Sequence, residues 1–414
     1  MSVLLNSVGK LSNAEDQGAT QKRVRPSHVI MPFLGCNIGG SHIAGFRLGS
    51  ALTRFYDIDC VVICPSPSAI ADEARRRGFS VFPSNEPPAY RHSSFHDIRR
   101  LAARVETINP YRKKKTIMHF NDMQALKSWG PAAKMNGIPL IYHHRSLGPM
   151  KFLKRCVLSL ADHAICISTA CSNHLSFFDR RTMVVDPVSI SDGIDRTSAR
   201  AGLVEEFGLD PNARLIGFVA NFFERKRPFF FLDVCARLAA AVNDYHAIVF
   251  GGARDIEEHE LRAYADNIGL GSRITFAGFR LPPARNIAAL DLLLAPALDE
   301  PFGLTLAEAL LLGVPYVATS SAGHIETHQR WSGGRLVSEG ADAAEFAGIA
   351  LEVLRNPGRT TLDHAQREKA QKHFSPKRHA DDVLRIYEAV MTDRELIQGS
   401  RHNGVWLQQR ERQP

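Results

Sequence analysis

The sequence predicts an α/β fold in two domains, each built from strands that alternate with helices. Its 414 residues exceed what one compact core accommodates and suit two. Short apolar runs of strand length alternate with stretches of helical periodicity along most of the chain. The clearest instance is a strand–turn–helix–strand unit between Leu292 and Ala318. In such units a ligand lies at the strand's carboxyl end, beside the helix's amino end.

Within that unit, the apolar run Leu292 to Leu298 ends at the carboxylates Asp299 and Glu300. A Pro-Phe-Gly corner follows, and a helix is expected from Leu304 to Leu312. Gly313 terminates it and Pro315 prevents its continuation. Backbone N–H groups near Gly303, Leu304 and Thr305 then converge with the positive end of the helix dipole, which makes an anion site suited to phosphate. Gly303 is read as leaving room for the ligand's approach. Glu300 and Glu308 can both face one ligand, one near a sugar ring and one near a ribose, because carboxylates accept hydrogen bonds from vicinal hydroxyls.

Before that unit, residues 1–25 read as a disordered lead-in, and 26–190 as the first domain. His28 to Leu34 is the expected first strand, emptying into the glycine-rich turn Gly35 to Ser41. A helix from Ile43 to Phe55 and a strand from Val61 to Pro65 come next. Such a turn lets backbone approach a phosphate or sugar. The basic run Arg112 to Lys115 precedes the strand Thr116 to Phe120, which carries His119 near its end. A helix from Met123 to Asn136 and a strand from Pro139 to Tyr142 lead to His143, His144, Arg145 and Ser146. Polar residues clustered at strand carboxyl ends are what a cleft in an open α/β sheet requires. Gly148 to Leu160 mixes Phe152, Leu153 and Val157 with Lys151, Lys154 and Arg155. This suits either a basic amphipathic helix at a membrane surface or a helix packed on the sheet with a solvated edge.

Residues 191–212 are polar and read as a linker, and 213–375 as the second domain. Arg214 to Val219 is its first strand, followed by the loop Ala220 to Arg227 and a helix opened by Pro228. A last helix, 376–392, and a polar, disordered tail, 393–414, complete the expected organisation.

The stretch from Glu300 to Thr319 resembles the E-x7-E signature of GT-B glycosyltransferases, in particular glycosyltransferase family 4, in the form E-P-F-G-L-T-L-x-E-A-x-x-x-G-x-P-x-V-A-T. The resemblance implies two Rossmann-like domains facing a central cleft, with a nucleotide-sugar donor on the second and the acceptor on the first. It implies a retaining transferase that uses no metal, moves sugar to a glycan or lipid-linked acceptor and serves cell-surface polysaccharide or glycolipid synthesis. In that family a Gly-Gly loop faces the donor, and Gly39-Gly40 matches it. The family's loop of arginine and lysine on the donor pyrophosphate places Lys226 at the lysine and Asn221 at the arginine, so Arg225 or Arg227 is the substitute cation. Gly278 and Phe279 match the base-contacting turn. Donor contacts are further expected from Phe302, Gly303, Leu304, Thr305 and both glutamates. Lys226, Glu300, His144 and Arg145 are the catalytic candidates, with His143, His144 and Arg145 all open for the family's histidine position. The alternative is a catalytically inactive GT-B scaffold or sugar-nucleotide-binding protein.

Composition narrows the partners. A net charge of +8 calls for an anionic partner: nucleic acid, phosphate-bearing substrate or anionic lipid. Aromatics do not interleave with the basic runs as a stacking platform requires, which argues against nucleic acid. The turn after the first strand lacks the G-x-G-x-x-G dinucleotide fingerprint. Asp57-Ile58-Asp59 spells DxD, but lies at the amino end of its strand, far from the expected cleft, so no metal is assigned to it. The seven cysteines form no CxxC pair and read as buried, reduced thiols of a cytoplasmic protein. Neither a signal peptide nor a spanning segment is expected, so membrane contact would be peripheral, on the inner face of the cell membrane.

Overall fold

The computed structural model describes residues 23–36, 38–84, 94–112, 115–188, 190, 194–356, 358 and 361–402. The first domain alternates β1 (His28–Pro32), α1 (Gly40–Tyr56), β2 (Asp59–Cys64), α2 (Ala69–Arg76), β3 (Ser80–Pro83), α3 (Ser94–Ile108), β4 (Thr116–Phe120), α4 (Met123–Met135), β5 (Leu140–His144), α5 (Phe152–Leu158), β6 (His163–Cys166), α6 (Thr169–His174) and β7 (Arg181–Met183). Its seven strands are parallel in the order β3-β2-β1-β4-β5-β6-β7. β1, β4 and β5 are buried on both faces, which is why they read as near-continuous apolar runs.

The second domain repeats the scheme. It comprises α7 (Arg196–Phe207), β8 (Arg214–Val219), α8 (Pro228–Ala239), β9 (Tyr245–Phe250), α9 (Glu258–Asn267), β10 (Ile274–Gly278), α10 (Pro283–Ala288), β11 (Leu292–Ala295), α11 (Leu304–Leu312), β12 (Tyr316–Thr319), α12 (Ala322–Trp331), β13 (Gly334–Val337), α13 (Ala343–Arg355) and α14 (His364–His373). The parallel order is β10-β9-β8-β11-β12-β13. In both sheets strand order reverses beside the first strand, at β1/β4 and at β8/β11. A doubly wound sheet binds ligands at that crevice.

The last helix, α15 (Pro376–His402), crosses back. Its Ala380, Val383, Leu384 and Tyr387 share one buried cluster with Phe46, Leu48 and Leu52 of α1. Tyr387 Oη lies 2.7 Å from His119 Nδ1 at the centre of the first sheet.

Several expectations are corrected here. The stretch expected to be a linker contains α7, capped by the Asp195 side chain 2.7 Å from the Ser198 N–H. Ala199 and Leu203, four apart, are its buried residues, so the polarity of the segment belongs to its outer face. Arg196 ties α7 to the second domain through the carbonyls of Ala288, Leu290 and Gly313. Of the lead-in, Val24 is buried and Arg25 pairs with Glu388 at 3.1 Å. The expected tail is helical through His402. Residues 1–22 and 403–414, and Lys113 and Lys114 of the basic run, lie outside the described residues. Cys36 and Cys156 are exposed rather than buried, and all seven cysteines are free. Among the described residues no helix is long and apolar enough to cross a membrane.

Candidate functional site

The loops at the two switch points face one another across a cavity of about 520 Å³. Gly39, Gly40, Ile43 and Arg47 of α1 and its entry form one wall, joined by Arg145 and Asp186. Asn221, Arg225 and Lys226 after β8, with Glu300, Leu304, Thr305 and Glu308 after β11, form the other. Six cations line the cavity against three carboxylates, a formal balance of +3 that suits an anionic ligand.

The corner before α11 is built around Glu300. Its N–H donates to Ser321 Oγ at 3.1 Å, and its carbonyl accepts from the Gly323 N–H at 2.7 Å. The Gly303 N–H donates to Glu300 Oε1 at 3.2 Å, so this amide serves the corner and not a ligand. Leu304 and Thr305 follow as the first-turn residues, whose amides precede the helix's own ladder, and both residues line the cavity. Gly303 has φ +83°, and a Cβ there would lie 2.8 Å from His324 Cδ2. Glycine is thus required by backbone conformation and by the His324 ring, rather than by a ligand's approach as the sequence suggests. Gly323 is needed for the same packing, because its Cβ would fall 2.4 Å from the Phe302 backbone.

Lys226 and Arg225 both reach Glu300. The Lys226 ammonium forms an ion pair with Oε2, and Arg225 Nη1 lies 3.3 Å from the same atom. Burial alone pushes the Glu300 carboxyl up, but Lys226, His324 and Arg225 together outweigh it and bring it down to about 2. His324 is itself driven down to about 4 by burial, so its ring is neutral at pH 7; its Nδ1 lies 3.1 Å from the Thr319 carbonyl. Arg227 stacks over Phe230 at 3.7 Å and does not line the cavity, so of the two arginines Arg225 is the one at the cavity wall. Asn221 lines the cavity, and its Oδ1 accepts from the Gly252 N–H at 3.1 Å.

Glu308 lies one turn into α11 from Leu304. It is buried, and burial raises its carboxyl despite the opposing effect of Arg47, whose Nη2 is 3.4 Å away. That contact joins the two domains across the cavity. A second bridge is the Thr169 N–H donating to Glu326 Oε2 at 2.8 Å.

On the first-domain wall, Arg145 grips Asp186 through Nη2 at 2.8 Å and Nε at 3.0 Å, and donates to Asn121 Oδ1 at 2.9 Å. His143 and His144 fall inside β5 and point to opposite faces of the sheet. His144 does not line the cavity. Its Nε2 is 3.0 Å from His174 Nδ1 and its Nδ1 is 3.2 Å from Tyr142 Oη. Burial and His174 hold it down at about 3, so His144 is withdrawn from the catalytic candidates. His143 is buried, 3.3 Å from His119 and 3.5 Å from Asp186, and it too is absent from the lining. Of the three residues open for the family's histidine position, Arg145 is the one at the cavity.

Among the described residues, His143, Asp186 and His379 form the one group with ligand atoms close enough for a metal ion, all within 4.8 Å. The Arg145 guanidinium already occupies the carboxylate, and its charge opposes a cation there. At the far end of the cavity, Phe279 is half exposed and lines the wall. Gly278 stands behind it with φ +74°, its carbonyl accepting from the Gly251 N–H at 3.1 Å.

The comparisons with known proteins converge on this architecture. Residues 202–373 match the family described as glycosyl transferases group 1. The D-inositol 3-phosphate glycosyltransferase of Mycobacterium sp. (strain KMS) is 33% identical over 208 residues, 48% of this chain and 44% of that protein. The lipopolysaccharide core biosynthesis mannosyltransferase LpsB of Rhizobium meliloti (strain 1021) is 29% identical over 221 residues, 50% of this chain and 59% of LpsB. The chain thus spans about half the length of the curated relatives it matches. Anabaena HepE, solved in complex with UDP-glucose, aligns with a TM-score of 0.72 at 20% identity, over 88% of this chain and 99% of HepE. That likeness shows the fold, the GT-B arrangement of two facing parallel sheets.

The group 1 match covers Lys226, Glu300 and Glu308 but none of the first-domain wall. Arg47, Asp186 and His324 are the site residues that sequence reasoning missed. A signal for Arg47 was present: Gly40, Ile43 and Arg47 recur at helical spacing, and all three line the cavity. Asp186 carries no such signal, because Arg145 reaches it across 41 residues.

Proposed function

We propose that the protein is a retaining glycosyltransferase that moves a sugar from a nucleotide-sugar donor to a glycan or lipid-linked acceptor. The observation that carries this reading is the cavity between the sheets. There Lys226, Arg225, Glu300, the first turn of α11 and Glu308 stand on one wall and Gly39-Gly40 on the other. A donor diphosphate at the first turn of α11 would meet Leu304 and Thr305 amides and the Lys226–Arg225 pair. Glu308 would take up ribose hydroxyls and Glu300 those of the sugar, with Phe279 beside the base.

In the front-face scheme, the bond from the anomeric carbon to the diphosphate oxygen breaks as the acceptor oxygen bonds on the same face. The acceptor proton passes to the departing diphosphate oxygen. The charge growing on that group is met by Lys226, Arg225 and the helix end, and no resident metal enters the scheme. Fixed dipoles and charges of this kind contribute ~3–4 kcal/mol per key donor in other enzymes.

An acceptor at a membrane surface is supported by α5. Phe152 and Leu153 are 83% and 61% exposed, flanked by exposed Lys151 and Arg155. An apolar pair ringed by cations suits an anionic lipid surface, which also favours a role in cell-surface polysaccharide or glycolipid synthesis.

The test is a panel of UDP-, GDP- and ADP-sugars, scored by thermal stabilisation and by release of the nucleoside diphosphate. A ligand at 100 times its dissociation constant adds ~2.7 kcal/mol. Stabilisation by one sugar nucleotide with release of its diphosphate supports the enzyme. Stabilisation without release, with or without acceptor extracts, points to the inactive sugar-nucleotide-binding protein. No response to any of them removes the donor site.

A further inference from the structure

Arg47 is a cavity cation that crosses from one domain to the other and is loosely held. It is supplied by α1 of the first domain, yet its guanidinium meets Glu308 of the second. Its two contacts, 3.4 Å to Glu308 and 3.3 Å to the Pro187 carbonyl, lie beyond the usual range for a charge-assisted bond. Arg145, by contrast, holds Asp186 at 2.8 and 3.0 Å. Arg280 is held by Glu206, with one contact at 2.7 Å. Among the described residues Arg47 is the hydrogen-bond partner of the Glu308 side chain, so each occupies the other while both remain at the cavity wall.

We propose that Arg47 is a diphosphate-binding residue. Its guanidinium exchanges Glu308 for the diphosphate of an incoming nucleotide sugar, as Glu308 takes up hydroxyls of the same nucleotide. The inference rests on the donor reading above and adds to it a residue outside the matched group 1 segment.

Three observations carry it. Glu308 is four residues after Leu304, so Arg47 lies about one helical turn from the amides that open the anion site. The second domain's own cations at that site, Lys226 and Arg225, are both engaged by the single carboxylate of Glu300, which neutralises part of their charge. Asn221, where the resemblance expects an arginine, is neutral, and its side-chain oxygen is committed to Gly252. A diphosphate at the first turn of α11 therefore meets neighbouring cations of its own domain that are already partly neutralised, and Arg47 faces it from the first domain. The exchange moves no net charge into solvent, since the diphosphate replaces a carboxylate as partner and Glu308 gains hydroxyl donors. It also makes the donor a bridge between the domains, in place of the Arg47–Glu308 contact.

The experiment compares wild type with R47Q and R47K by calorimetry, titrating UDP, GDP and ADP and, for whichever binds, the corresponding nucleoside. Glutamine removes the charge while leaving a polar side chain, lysine restores the charge, and a thermal midpoint equal to wild type shows that the fold is kept. The expected result is a loss of about tenfold or more in diphosphate affinity in R47Q, from one lost charge-assisted contact, with nucleoside affinity maintained and diphosphate affinity largely recovered in R47K. Diphosphate affinity in R47Q equal to or above wild type overturns the proposal and leaves Arg47 as a latch alone. Equal losses for nucleoside and diphosphate overturn it too, in favour of a structural role. If wild type binds none of the three diphosphates, the donor reading itself falls, an outcome distinct from either.

Discussion

Lys226 and Glu300, 74 residues apart in the chain, form an ion pair at the wall of the cleft, with Arg225 3.3 Å from the same carboxylate oxygen. The pair binds the loop after β8 to the corner after β11, the two loops that flank the switch point of the second sheet. It fixes the lysine beside the first turn of α11, where charge would develop on a leaving diphosphate.

Lys226→Ala should accordingly lower turnover more than donor affinity, because charge on the departing group grows only in the transition state. Steady-state kinetics at saturating donor and acceptor are the check. An unchanged kcat would reduce Lys226 to an ionic tie between loops.

The same pair predicts a pH effect. Glu300 is held at about 2, below its ordinary 4.5, so it contributes stability that is present above pH 4.5 and lost as pH falls toward 2. Glu300→Gln removes a group that titrates in that window. The difference in thermal midpoint between pH 5 and pH 2.5 should therefore shrink in the variant. An equal difference in both proteins would mean that the carboxylate is not held down by its neighbours.

For Glu308→Ala, the expected loss is in donor affinity, about 1.5–3 kcal/mol for a charged hydrogen-bonding partner. Alanine is a good helix former, and Arg47 keeps the Pro187 carbonyl, so the thermal midpoint should change little. Equal nucleotide-sugar affinity in the variant, measured calorimetrically, would remove Glu308 from the donor site.

Gly303→Ala should destabilise the second domain. The left-handed backbone and the His324 ring 2.8 Å from the added methyl together cost about 1–3 kcal/mol. A lowered thermal midpoint is the readout, and a midpoint equal to wild type would show that the corner relaxes freely.

Membrane contact through α5 predicts sedimentation with anionic vesicles at low salt and release at high salt. Screening shortens from ~10 Å at 0.1 M to ~3 Å at 1 M. Replacing exposed Phe152 and Leu153 by serine should weaken binding without affecting donor affinity, because α5 lies outside the cavity lining. Equal sedimentation with neutral vesicles, or none with anionic ones at low salt, would exclude an electrostatic surface attachment.

The two-domain α/β class, the corner from Glu300 to Thr305 and the position of Lys226 were all legible from the chain. Each depends on local order: apolar runs of strand length, a glycine and a proline at a helix end, a cation just after a strand. Local order also misled where its signal had two causes. The polarity of 196–207 read as a linker, but one face of α7 buries Ala199 and Leu203. Gly303 read as room for a ligand, but the room is taken by His324. α14 carries little apolar signal, since His364–His373 is polar apart from Ala365 and Ala370, and only Ala370 is buried.

What the sequence by itself determined was the kind of unit and the residues at its corner, because backbone conformation and capping act over a few residues. What only the tertiary structure decided was which charges meet. Arg47 finds Glu308 across 261 residues, Arg145 finds Asp186 across 41, and His144 turns to His174 instead of the cleft. Those choices depend on the facing of two sheets and the side of a strand to which each residue points. Neither is encoded in local spacing: a one-residue change of position on a strand reverses the face, and contact between domains is set by packing of the whole chain.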